Sequence, residues 1–94
     1  MKFSDIQFKP HPSGIGGRQG LVFFPNGYGA SIVGGAPGLY GNGITTFEVA
    51  VIHGSKEGFS LVYDTHITDD VLGYQSKDEV SEVLNLIEQL PPRN

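Results

Sequence analysis

Residues 47–64, FEVAVIHGSKEGFSLVYD, read as two β-strands closed by a glycine-containing loop between His53 and Gly58. Phe47, Val49 and Val51 alternate with Glu48 and Ala50 in the first; Phe59, Leu61 and Tyr63 alternate with Ser60 and Asp64 in the second. Each strand therefore carries one strongly apolar face. If both faces are to lie on one side of an antiparallel pair, opposed residue numbers must share parity, which an even loop without a bulge prevents. The pattern thus predicts an odd loop, or a bulge with Gly58 in the left-handed region.

The best-signalled element, at the C-terminus, supplies an apolar surface to cover this hairpin. Ser76-Lys77-Asp78-Glu79 fits a capping box, and Val80, Val83, Leu84, Ile87 and Leu90 follow at helical spacing until Pro91. A helix this short does not persist alone, so it must dock on the sheet, against Phe47, Val49, Val51, Phe59 and Leu61. The opposite face, with Glu48, Ala50, Ile52, Ser60 and Val62, is only half apolar and is either solvated or used for self-association. The expected fold class is α+β: a small, mostly antiparallel sheet of four to five strands with one C-terminal helix on one face.

The remaining elements fit one domain over residues 1–94, with an N-terminal strand and Gly/Pro loop over 1–20, a β-meander over 21–64 and the helix over 76–90. Ser4 to Lys9 alternates Ile6 and Phe8 with Asp5 and Gln7, as an edge strand does, and stops at Pro10. Leu21–Phe24 and Ala30–Val33 flank Pro25-Asn26-Gly27-Tyr28-Gly29, a hairpin signal. Gly34 to Gly43 is the most glycine-rich segment and reads as a mobile connection, or as a binding loop with Leu39 and Tyr40 at its tip. Thr68 as N-cap, Asp69 and Asp70 in a first turn and Gly73 as a stop predict one short helical turn.

Composition narrows the function classes. The chain has no cysteine, so disulfides and thiolate chemistry are out. Of its ten acidic residues nine lie beyond residue 47, and the net charge is −4, which disfavours general binding to nucleic-acid backbone. No apolar run approaches the length of a membrane span and no signal peptide is recognisable, so a soluble cytoplasmic protein is expected.

Candidate chemistry is sparse. Gly14-Ile15-Gly16-Gly17, followed by Arg18, lacks the ending of a phosphate-binding loop and a helix behind it, so a turn explains it better than a phosphate cradle. Asp64, His66 and Asp69, with Asp70 beside them, are the best local metal set, yet a carboxylate-rich capped turn accounts for the same residues. Acid–base pairs can be drawn from Glu48, His53 and Asp64, and no serine sits in a nucleophile elbow. The acidic residues Asp69, Asp70, Asp78, Glu79, Glu82 and Glu88 read as a solvated helix face, or a docking surface for a basic protein. Tyr28, Leu39, Tyr40 and Tyr74, on or beside glycine-rich segments, are the candidate contacts for a partner.

The run Phe24-Pro-Asn26-Gly27-Tyr28-Gly-Ala-Ser31, then Leu39-Tyr40-Gly41, then Phe47-Glu48-Val-Ala-Val, then Gly73-Tyr74-Gln-Ser-Lys-Asp-Glu79-Val80, resembles a group of short proteins encoded by tailed bacteriophages and prophages. The shared features are an Asn-Gly-aromatic turn, a glycine-rich segment with a tyrosine, and a Ser-x-x-Glu-Val start to the last helix. The resemblance implies a viral setting inside an infected bacterium. The expected function is a non-enzymatic accessory protein that binds a host or defence protein, with no cofactor. The alternatives are a binder of a nucleotide-like ligand, with amides of Gly14–Gly17 or Gly34–Gly43 facing phosphate in a dimer groove, and thirdly a metal-dependent hydrolase.

Overall fold

The computed structural model describes every residue except Ser13, Ile15, Asp69, Arg93 and Asn94. Its strands are β1 (Phe8–Pro10), β2 (Arg18–Phe23), β3 (Tyr28–Gly34), β4 (Phe47–Ser55), β5 (Gly58–Leu61) and β6 (Val71–Gln75). A short 3-10 turn (Phe3–Asp5) precedes them and the helix α1 (Lys77–Glu88) follows. Strands β1 to β5 are antiparallel neighbours in chain order. The far edge of β4 is shared: β5 pairs with Ile52–Ser55, and β6 with Phe47–Ala50. The helix packs on one face, so the protein is α+β.

Strand β3 is buried along its whole length, because it lies between β2 and β4 and has apolar side chains on both faces. Its register sets the covered face: Ala30 opposes Val51 and Val22, and Ile32 opposes Val49. Val80, Val83, Leu84, Ile87 and Leu90 of the helix end close over this row, and the stripe read from the sequence is buried throughout. At the other end of the row Phe47 gathers the rings of Phe3 and Phe8 at 4.8 and 5.6 Å.

Both ends of α1 are satisfied by side chains, but by different routes. At the start, Ser76 Oγ accepts from the Glu79 amide (3.1 Å) and Glu79 Oε1 accepts from the Ser76 amide (2.9 Å), the expected capping box. At the end, no basic residue sits in the last turn. Instead Asn26, in the β2–β3 turn, donates its side-chain amide to the carbonyls of Ile87 (2.9 Å), Glu88 (3.2 Å) and Leu90 (3.0 Å). Replacing the N-cap by Ser76→Ala should cost about 1 kcal/mol and lower Tm by roughly 4 to 8 °C, read by thermal unfolding. An unchanged Tm would mean the helix start is held by packing alone.

Three sequence readings are corrected. The β4–β5 turn is the two residues Lys56 and Glu57 without a bulge, so Gly54 faces Phe59 and Ile52 faces Leu61. Unlike parities put Phe59 and Leu61 on the face away from the helix, 40% and 46% exposed, and Val62 takes the core position. The positive φ lies at Gly54 (130°), not at Gly58. The expected helical turn around Thr68 is a loop leading into β6: Thr65 Oγ1 accepts from the amides of Ile67 and Thr68, and Thr68 Oγ1 from that of Asp70. Tertiary demand overrides the capping signal here, because β5 leaves the first half of the β4 edge unpaired and Val71 and Leu72 are good strand residues. The N-terminal strand starts later than read, since Asp5 Oδ2 accepts from the Lys2 amide (2.9 Å) and winds Phe3–Asp5 into the 3-10 turn.

Candidate functional site

The glycine-rich connection between β3 and β4 is held by its own side chains. Asn42 Oδ1 accepts from the amides of Ile44, Thr45 and Thr46 at 2.8, 2.8 and 3.0 Å. The Gly35 amide donates to Gly41 O (3.0 Å), Gly43 N to Thr46 O (2.9 Å), and Arg18 Nε to Gly43 O (3.0 Å). A Cβ on Gly34 would stand 2.7 Å from the backbone of Gly43, so the two strands of the loop cross only because neither residue has a side chain. The mobile connection read from composition is thus a closed, internally bonded loop.

This loop carries Tyr40 to β6. The Tyr40 amide donates to Glu48 Oε1 (3.3 Å), and the Tyr40 carbonyl accepts from the Tyr74 amide (2.8 Å). The two rings lie 6.1 Å apart at 53°. Gly73 leaves the room: a Cβ there would be 2.8 Å from that of Tyr40. Between the pairs Val49–Leu72 and Phe47–Gln75 the strand β6 holds one residue more than β4, a bulge. Tyr74 sits in it at φ 55°, the only described non-glycine residue with positive φ. Such a conformation costs about 1 to 2 kcal/mol in an L-residue and persists only where neighbours enforce it. The ring that results is 66% exposed, and that of Tyr40 is 52% exposed.

Of the four aromatic and aliphatic candidates, therefore, the structure joins two. Leu39 is half-buried beside Tyr40, its amide on Ala36 O (3.2 Å). Tyr28 is buried, edge-on to His53 at 6.0 Å, so it is a core residue and not a surface contact. Ile44, 70% exposed on the same loop as Tyr40, was missed by sequence reasoning. It sits at the tip of the turn in which Asn42 Oδ1 takes the amides of Ile44, Thr45 and Thr46, a turn that the Asn-Gly pair Asn42-Gly43 signals in the sequence.

No family model, curated protein or solved structure matches the chain. The functional reading consequently rests on geometry. Gly14 and Gly16 are exposed at positive φ, whereas Gly17 is pressed against Gly34 O and Ala36. Arg18 is engaged by Gly43 O and lies 4.6 Å over the Phe8 ring, so its charge is not aimed at an anion in the glycine loop. Glu48 and His53 sit at unlike parities of β4 and point to opposite faces, which separates them as an acid–base pair. Asp64 and His66 are exposed, Asp69 lies outside the described residues, and among the described residues no three His, Asp or Glu side chains are grouped to hold a metal. No described helix is long and apolar enough to cross a membrane.

Proposed function

We propose that the protein is a non-enzymatic accessory protein of phage type, acting in the host cytoplasm by binding a host or defence protein through the surface around Tyr40 and Tyr74. The observation that carries this reading is Tyr74, held at positive φ in a bulge with its ring largely in solvent. Strain of this kind has no use for the core, whereas rigid, exposed aromatics on a bonded backbone suit an interface hot spot. The phage setting in this proposal comes from the resemblance of the sequence motifs alone.

The test is affinity capture from bacterial lysate with the wild-type chain and with Tyr40→Ala/Tyr74→Ala. A partner retained by the wild type and weakened by roughly 30-fold or more in the variant supports the proposal, since hot-spot truncations cost about 2 to 4 kcal/mol. Equal recovery by both proteins overturns it. Tyr74→Gly separates binding from folding: glycine accepts the bulge conformation without strain, so the variant should be at least as stable as the wild type while losing the partner. A fall in Tm of more than about 4 °C would make the ring structural.

A further inference from the structure

At the β1–β2 edge, on the sheet face away from α1, lies a cavity of about 420 Å³. Its apolar wall is Leu21 and Phe23, outward-facing residues of β2, and the carboxamides of Gln7 and Gln19 border them. Pro10 and Pro12 add apolar surface, and Lys9, opposite Gln19 on β1, and Lys56, from the β4–β5 turn three strands away, complete the described lining. Among the described residues no acidic side chain lines it. Among the described residues neither lysine has an ion-pair or hydrogen-bond partner. Gln19 Nε2 reaches Ser31 Oγ only at 3.4 Å, a long bond that a ligand can replace.

In a chain of net charge −4, two of the six basic residues converge on one concavity. Like charges placed around one apolar concavity whose described lining holds no acid favour an anion between them. The volume falls in the range of small-ligand sites, and apolar walls with a few polar groups are their usual lining. We propose that this cavity binds a planar aromatic anion of mononucleotide size. The ring lies against Leu21 and Phe23, Gln7 and Gln19 meet its polar edge, and the two ammonium groups hold the phosphate. The site is independent of the tyrosine pair, which is on the opposite edge of the sheet.

The experiment is an amide-resolved NMR titration of the whole chain with adenosine monophosphate, and with its guanosine, uridine and cytidine counterparts. At least one should shift the amides of Lys9, Gln19, Leu21 and Lys56 with a Kd below about 1 mM. The corresponding nucleoside and inorganic phosphate should each bind at least about tenfold more weakly, since each supplies half the contacts. Lys9→Glu/Lys56→Glu should weaken binding by roughly a hundredfold at unchanged Tm, about tenfold for each lysine. Lys9→Gln/Lys56→Gln gives the same reading if charge reversal disturbs the fold. The proposal is overturned if no mononucleotide shifts these amides, if the shifts map to Gly14–Gly17 instead, or if the lysine variants bind as the wild type does. A single-stranded oligonucleotide that binds far more tightly than any mononucleotide also overturns it, in favour of a nucleic-acid site.

Discussion

Phe47→Ala is expected to destabilise the fold by about 3 to 5 kcal/mol, whereas Phe59→Ala, the same change on the partner strand, should cost less than about 1 kcal/mol. Phe47 is fully buried and holds Phe3, Phe8 and the guanidinium of Arg18 around its ring. Its removal leaves a cavity where the N-terminal segment, β1 and the start of β4 meet, so little can collapse to fill it. For a chain of this length the loss is a large share of a total stability of about 5 to 14 kcal/mol. Urea unfolding should show the midpoint of the first variant falling by about 2 M or more and that of the second barely moving. Equal losses would restore the arrangement in which both rings face the helix and would refute the two-residue β4–β5 turn.

The second large effect is expected from Asn26→Asp. Aspartate preserves the shape of the side chain, still accepts from the Tyr28 amide as Asn26 Oδ1 does (3.0 Å), and is as good as asparagine before glycine in a hairpin. If Asn26 served only the turn, the variant would fold as the wild type. Instead the change deletes the donor to three carbonyls at the end of α1 and sets a carboxylate against the negative pole of the helix. Lost hydrogen bonds at about 1 kcal/mol each, with up to about 1 kcal/mol from the dipole, give a loss of roughly 2 to 4 kcal/mol. Thermal unfolding should register a drop in Tm of roughly 10 to 25 °C. A variant within about 0.5 kcal/mol of wild type would reduce the clamp to an incidental contact.

The start of α1, its apolar stripe, the β2–β3 hairpin and the core alternation of Phe47, Val49 and Val51 were all legible in the order of residues. Each depends on partners a few positions apart: Ser76 with Glu79, Val80 with Leu84, Asn26 with Tyr28. Such contacts are set by backbone geometry and are nearly the same in any fold. The face of β5 was not legible, because Phe59-Ser60-Leu61-Val62 offers an apolar residue at both parities and the choice waits on the length of a turn. β6 was hidden for a related reason. Thr68 and the acidic residues after it satisfy the local rules of a helix start, and only the unpaired edge of β4 makes a strand the better use of Val71 to Gln75.

The tyrosine pair and the lysine-lined cavity belong to the same second group. Nothing near Tyr40 in the chain announces Tyr74, and nothing near Lys9 announces Lys56; strand register and the fold of the hairpins bring them together. Residue order alone was enough for the periodic elements and the side that each turns inward where neighbours decide it. Which edges meet, which face the helix leaves open, and hence where a partner or ligand finds its contacts, follow from pairing between distant segments, whose free energy depends on all the strands at once.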